Sequence, residues 1–402
     1  MSEFSLVLRC VLVQDDQGIA QCVLLSDAML DLKSLHNNTQ RMLLPLSRAD
    51  IVKLTRTRAL TLIPGHDGFY LLPTFVDASL AGEGKLRIDD KGGTLGALRD
   101  TLHLNAQHVR HVAIAVPAKQ LKYDLPDAKE DSQQITNSIR HFTTLRIKQR
   151  LDETLEIPPL SATADRIMQL RANPNATVNE LTSIVEADPS LAAQVVSWAS
   201  SPYYAAPGKI RSVQDAIVRV LGFDLVSNLA VGLILGRSVE LPKDAADGFT
   251  PYWLQAVYCS TAVEALVRMM PVSKRPRPGM MYLASLLHNL GYLVLAHTFP
   301  PHFSSICRYM EANPAISHVV IENHLIGISR EQISAWLMQS WNMPEEVCTA
   351  LRYQQDASYN GPHDQYANLI YVVMRLLRKH GIGDAPPGLV NNAMYQKLSL
   401  DA

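Results

Sequence analysis

Two adjacent polar side chains, His288 and Asn289, interrupt the apolar run from Met280 to Leu295, within Leu286-Leu287-His288-Asn289-Leu290-Gly291-Tyr292. Leu283, Leu286, Leu287, Leu290 and Leu293/Val294 recur at helical spacing, so the pair rides on a buried helix. An imidazole there can bind a metal, move a proton or make a hydrogen bond inside a core. The amide oxygen of Asn289 is uncharged and is a much weaker ligand than a carboxylate for a divalent cation. The first reading of His288 is a hydrogen-bonded core residue; the second is a nucleotide or peptide pocket shared with Asn289 and Gln255. Glu322 and His324, on the next helix, are candidate partners. His297, His302 and His318 lie nearby in sequence without HxxxH metal spacing. The loop Lys274-Arg275-Pro276-Arg277-Pro278 places three cations within four residues just before the central helix. It reads as a solvated, proline-stiffened connection, with Lys274, Arg275 and Arg277 as candidates for contact with an anion.

The chain has 402 residues, too many for one ordinary core, so at least two domains are expected. Hydrophobic residues make up 47% and charged residues 19%, which excludes a disordered chain. A formal net charge of -1 argues against a wholly basic nucleic-acid-binding surface. The 5 cysteines are scattered without CxxC spacing, which points to buried thiols in a reducing compartment and not to a zinc site. The opening residues lack the pattern of a signal peptide, and no apolar run reaches spanning length without charges or breakers. The expectation is a bacterial-type cytoplasmic protein with no membrane partner, no metal and no cofactor.

In the first third, Ser5–Val13 and Ile19–Leu25 read as strands joined by an Asp15-Asp16-Gln17-Gly18 turn. Short helices are predicted over Leu30–Leu35 and Arg48–Thr57, the latter capped by Ser47 or nearby polar groups. Further strands are predicted over Ala59–Ile63, Phe69–Pro73, Lys85–Asp89 and Val109–Val116, and one more helix over Thr94–Leu104. The mixture predicts an α+β domain, residues 1–122. The segments Val11-Leu12-Val13-Gln14, Leu30-Asp31-Leu32-Lys33-Ser34-Leu35, Leu44-Pro45-Leu46-Ser47, Leu62-Ile63-Pro64-Gly65 and Phe75-Val76-Asp77 give this region an order that resembles the YbaK/prolyl-tRNA-editing deacylase family. The resemblance implies a mixed sheet with short helices, and a lysine gripping acylated tRNA on the first strand. Arg9 stands at that position and keeps the charge without the point-charge geometry. The family's Gly-Gly-x-x-Pro loop is absent, since Gly92-Gly93 is followed by Thr94-Leu95-Gly96.

Residues 123–157 form a predicted linker helix. Asp127 and Glu130 mark its start, and Ile135, Ile139, Phe142, Ile147 and Leu151 form an apolar stripe among charges. Beyond it the punctuation is helical throughout. Thr177/Glu180 and Ser329/Gln332 fit capping boxes, Asp188-Pro189 fits an N-cap with proline at the first position, and Gly222 ends a helix opened by Ser212. Residues 158–402 are therefore expected to form an all-α bundle.

Ile157-Pro158-Pro159-Leu160, Ile184-Val185-Glu186-Ala187-Asp188-Pro189-Ser190-Leu191, Ser200-Ser201-Pro202-Tyr203, Leu286-Leu287-His288-Asn289-Leu290-Gly291 and Trp341-Asn342-Met343-Pro344 occur in the order of the HDOD domain. The resemblance is to a metal-less relative of the HD phosphohydrolases. In that superfamily His, His-Asp and a later Asp converge on one metal, which lowers the pKa of a bound water. The resemblance places the first position near Gln255, the pair at His288 and Asn289, and the last near Met374, so one ligand of four is kept. The implied function is non-catalytic signalling, through another signalling protein or a nucleotide-type ligand. The competing expectation is an aminoacyl-tRNA deacylase acting through the N-terminal domain, with tRNA as partner.

Overall fold

The computed structural model describes residues 6–400, apart from residues 58, 64–65, 81–85, 89–90, 94–108, 122, 124, 148–161, 174, 201–207, 239–243, 248, 342 and 386–387. Strands β1 (Leu6–Asp15) and β2 (Gly18–Leu25) form an antiparallel hairpin, Asp15 opposite Gly18. Gly18 turns at φ +119°, a conformation that L side chains rarely adopt. There follow β3 (Met29–Leu30), α1 (Leu32–Thr39), β4 (Leu44–Pro45), α2 (Arg48–Arg56), β5 (Leu62–Ile63) and β6 (His66–Tyr70). Next come β7 (Thr74–Asp77), β8 (Leu86–Ile88), β9 (Lys91–Gly93), β10 (Val109–Val112) and β11 (Ala115–Val116). The main sheet runs β10-β7-β2-β1-β8-β9, with β4 also paired to β1, and mixes parallel with antiparallel neighbours.

Several sequence expectations change here: the strand predicted over Val109–Val116 divides into β10 and β11, which join different sheets, and the one predicted over Ala59–Ile63 narrows to β5. The predicted strand Phe69–Pro73 is cut, because the buried Gln21 side chain accepts from Tyr70 N and donates to Tyr70 O at 2.7 Å, bending the chain before β7. Strand β7 is buried on both faces, so it lacks the alternation that marks a half-buried strand. The predicted helix over Leu30–Leu35 starts only at Leu32. Its cap is Asp31, which accepts from Lys33 N, while Leu30 is held in strand β3. The predicted helix over Thr94–Leu104 lies almost wholly outside the described residues.

The helical part continues with α3 (Ala128–Ile147), α4 (Ala162–Ala172), α5 (Val178–Glu186), α6 (Pro189–Ala199), α7 (Val213–Ala216) and α8 (Phe223–Ser238). It goes on through α9 (Tyr252–Met269), α10 (Pro278–Leu287), α11 (Leu290–Thr298), α12 (Pro300–Ala312) and α13 (His318–Ile326). The last four are α14 (Arg330–Ser340), α15 (Glu345–Tyr353), α16 (Asp364–Lys379) and α17 (Asn392–Lys397). Both capping boxes form as spaced, Thr177 with Glu180 and Ser329 with Gln332. Gly279–His297, spanning α10 and α11, is the one stretch among the described residues long and apolar enough to cross a membrane, and 89% of that window is buried within the protein.

The chain falls into two compact units that are not contiguous. One joins residues 1–124 to 244–248 and 301–325; the other comprises 125–243, 249–300 and 326–402. Helices α12 and α13 thus belong almost entirely with the sheet and not with the bundle. The cause is a set of side chains that sequence periodicity does not reveal. Met29, Tyr309 and Ile321 share one buried cluster. Asn313 acts as a surrogate strand neighbour for Leu30, accepting from its N–H at 2.7 Å and donating to its carbonyl at 3.0 Å. The same Asn313 oxygen accepts from Arg9 at 2.5 Å. Arg9 also donates to Ala312 O at 2.8 Å and Ala28 O at 3.0 Å. Burial pulls the Arg9 guanidinium down to about 10, so it still carries its charge at neutral pH.

Asn313→Ala should leave the Leu30 backbone groups and part of the buried Arg9 charge without partners, a loss of about 3–5 kcal/mol. Chemical denaturation followed by a probe in the sheet unit should show the midpoint falling, with Asn313→Asp recovering only part of it.

Candidate functional site

The run Met280 to Leu295 is not one helix. Helix α10 ends at Leu287 and α11 begins at Leu290, with Asn289 at φ -112° and ψ 22° between them. The break falls on the His288-Asn289 pair. It leaves the His288 carbonyl to accept from Gln354 Nε2 at 2.6 Å. Close approach also fixes the start of α11. A Cβ on Gly291 would lie 2.1 Å from Arg330 O, and Gly291 N donates to Ser334 Oγ at 2.7 Å. Only glycine permits α11 and α14 to touch at this point.

The His288 ring is buried, and its Nδ1 lies 2.7 Å from Ser285 O. A carbonyl only accepts, so Nδ1 carries a proton, and in the neutral ring Nε2 is the bare nitrogen. The Nε2 lone pair then faces the Gln255 amide nitrogen, 3.5 Å away on α9. Burial, partly offset by the hydrogen bond to Ser285, lowers the His288 pKa to about 4. Met374 of α16 is next to the same amide. A Cβ built on Gly383, whose φ is +78°, would meet Gln255 Nε2 at 2.9 Å and Met374 Cε at 3.1 Å. The structure therefore brings Gln255, His288 and Met374 together, around a glycine that sequence reasoning did not single out.

Asn289 faces a different neighbour. Its Oδ1 accepts from Arg330 at 3.2 Å, and the same guanidinium nitrogen lies 2.6 Å from Asp384 Oδ2. Arg330 is 2% exposed and Asp384 is 11% exposed, so the pair is shielded from water. The guanidinium also sits over the Tyr292 ring, 5.0 Å from its centroid, and Tyr292 stacks on Phe249 at 4.3 Å. Two polar atoms of the cluster, Gln255 Oε1 and Asn289 Nδ2, are buried without hydrogen-bond partners.

A divalent cation needs several anionic or imidazole donors converging on one point. This cluster offers one imidazole, two neutral amides and a thioether, with a guanidinium already against Asn289. Among the described residues no group of three or more His, Cys, Asp or Glu side chains is placed to hold a metal ion. The donor chemistry does not fit the metal that the HD superfamily uses.

The other predicted residues lie elsewhere. Glu322 and His324 are on α13, in the sheet unit; Glu322 is buried, and the His324 ring is tilted against Tyr309 at 6.5 Å. In the basic loop, Lys274 donates to Ser399 at 2.9 Å, and Arg275 donates to the carbonyls of Met270 and Arg268. Arg277 pairs with Glu346. These cations tie the loop to the bundle.

Sequence reasoning also missed Asp131. Its carboxylate receives two hydrogen bonds from Arg352, at 2.5 and 2.9 Å, and one from Gln332 at 2.9 Å. Arg352 and Asp131 are both nearly inaccessible to water. Asp131 lies in the first turn of α3, where a carboxylate also suits the helix dipole.

His288 sets a pH dependence. The unfolded chain binds a proton below about 6.5 while the folded ring stays neutral to about 4. Its contribution is complete above 6.5 and lost progressively as pH falls to 4, about 3 kcal/mol in all. Urea midpoints across that range should fall less steeply in His288→Gln than in the parent; parallel curves would mean an ordinary histidine. Gly383→Ala should also cost about 2–4 kcal/mol in denaturant titrations, from the positive φ together with the clash on Gln255.

Comparison with known proteins matches this arrangement to one family. The HDOD domain model matches residues 157–357. A crystal structure of a candidate signal transduction protein from Marinobacter aquaeolei VT8 is 42% identical, covers 99% of this chain and 88% of its own, and superposes with a TM-score of 0.80. An HDOD domain protein of unknown function from Geobacter sulfurreducens is 20% identical over 63% of this chain and 81% of its own, with a TM-score of 0.47. An uncharacterized protein of Treponema pallidum (strain Nichols) is 24% identical over 229 residues, 56% of this chain, and the match spans 42% of that relative's length. Because the HDOD model matches half of the chain, the chain belongs to the HDOD domain family.

Proposed function

We propose that this chain is a non-catalytic signalling protein. In this reading the HDOD bundle has lost the metal site of the HD phosphohydrolases and is coupled through α3 to a YbaK-like ligand-binding domain. Gln255, His288, Asn289 and Met374 are the remnants of that site, and the Arg330 guanidinium supplies the positive charge that a metal would otherwise bring. Such a site has no means of generating hydroxide at neutral pH. Its residues are suited to holding helices in register.

The observation that carries the reading is the grip on Asp131. Helix α14 presents Arg330 to the cluster and, two residues on, Gln332 to Asp131. Helix α15 presents Arg352 to Asp131 and, two residues on, Gln354 to the His288 carbonyl. Both helices that border the broken α10–α11 junction therefore hold the first turn of the connecting helix. A rearrangement at the junction has a route of less than one helical turn to α3. The partner that reads or sets this state is another signalling protein or a nucleotide-type ligand.

Hydrogen exchange tests the coupling. Asp131→Asn should raise amide exchange in the first turns of α3 and also at the α10–α11 junction; exchange raised in α3 alone would sink the relay. In the sheet unit, Arg9 donates to Ala312 O, Ala28 O and Asn313 Oδ1, all within the protein, which supports a positioning role over tRNA contact. A panel of mischarged aminoacyl-tRNAs should be hydrolysed no faster than the enzyme-free blank. Turnover that disappears in Arg9→Ala, with the fold intact by circular dichroism, would replace this reading with an editing deacylase.

A further inference from the structure

Helix α9 has a buried face that the cluster uses and an outward face with no assigned role. Gln255, Ala256, Cys259, Val263 and Val267 point inward. The opposite face carries four large apolar side chains that remain substantially exposed: Leu254 is 43% exposed, Val257 51%, Tyr258 40% and Met269 65%. Thr261 and Ala265, both exposed, continue the line between them. The intervals of three and four residues make this a continuous stripe along the helix. The stripe has almost no net charge of its own, since Arg268 pairs with Glu264 one turn away at 2.5 Å. That disfavours a nucleic acid or an acidic peptide as occupant.

The order of side chains points to a particular occupant. Positions equidistant from the midpoint between Thr261 and Ala262 are matched: Leu254 with Met269, and Tyr258 with Ala265. In an antiparallel pair of identical helices, those are the residues that meet across the two-fold axis. Large apolar ends would face each other, each Tyr258 would fill the space beside an Ala265, and the small central residues would let the backbones approach. An isologous contact requires this self-complementarity, and an unrelated partner does not.

We infer that the outward face of α9 is a homotypic interface, pairing antiparallel with α9 of a second copy of this chain. The helix has 18 residues. A stripe about 27 Å long and about 10 Å wide covers roughly 300 Å² per copy, well under the ~800 Å² of a standard stable interface. The association is accordingly weak and reversible, and concentration governs it. This inference stands independently of the signalling reading.

The test is sedimentation equilibrium of the full chain from about 1 to 200 µM, beside an Ala265→Arg variant and two single-cysteine variants. The parent should pass from monomer to dimer across that range. Ala265→Arg, a change at an exposed position, should weaken association by about tenfold or more while keeping its circular dichroism. Thr261→Cys, next to the axis, should form a disulfide dimer under mild oxidation. Leu254→Cys should not, since the two copies of that residue would lie about 22 Å apart along the axis. The native cysteines are buried except Cys10, which is partly buried, so the parent is the background control. A parent that stays monomeric throughout, a dimer indifferent to Ala265→Arg, or a disulfide through Leu254→Cys would each overturn the pairing. A monomer that instead binds neutral or anionic vesicles through this helix would also overturn it and give the face to a lipid surface.

Discussion

A buried positive charge sets the terms for the helical unit. Arg330 has almost no access to water, so its guanidinium has to be neutralised and hydrogen-bonded within the protein. Asp384 supplies the opposite charge, Asn289 supplies an oxygen, and the face of Tyr292 supplies a polarizable surface. Each demand has a structural consequence. Asn289 can present its oxygen because the helix breaks at His288. Tyr292 can sit under the cation because Gly291 lets α11 lie directly against the backbone of α14. An arginine suits these demands better than a lysine, since its planar guanidinium is less strongly hydrated and can lie over the Tyr292 ring while one of its nitrogens serves both acceptors.

The same device recurs at two other points. Arg352 and Asp131 form a second shielded ion pair, which binds the connecting helix to α14 and α15. In the sheet unit, Arg9 and Asn313 join the edge of β3 and the end of α12. Each of these joints draws on residues more than 200 positions apart in the chain. Removing one partner leaves a buried charge or a stranded backbone group. Such joints therefore add more to the uniqueness of the arrangement than to net stability. Contacts of this kind hold the helices they join in defined registers.

Local chemistry was legible in the chain. The caps at Ser47, Thr177, Asp188, Ser212 and Ser329 form where the spacing places them, because a capping hydrogen bond closes within three residues. The β1–β2 hairpin is local in the same sense. The site was half legible. Motif order brought Gln255, His288 and Met374 onto one short list, and the fold places them around Gly383. Arg330, Asp384 and Asp131 left no mark, since a single charged residue at a helix start looks like any solvated one. Glu322 and His324 were drawn to His288 by proximity in sequence, whereas the contacts of their helix assign them to the sheet unit.

The sequence by itself determined the order of a mixed part followed by a helical part, and the helix starts at Ser47, Thr177, Asp188, Ser212 and Ser329, whose caps close within three residues. It also settled that His288 has an amide and not a carboxylate beside it. Tertiary structure alone decided that the central apolar run breaks at that histidine and that an arginine occupies its neighbourhood. It alone decided that residues 301–325 leave the helical unit for the sheet. Those outcomes depend on which buried charge finds which partner across long separations, and the energy of such a pairing exists only once both groups have left water.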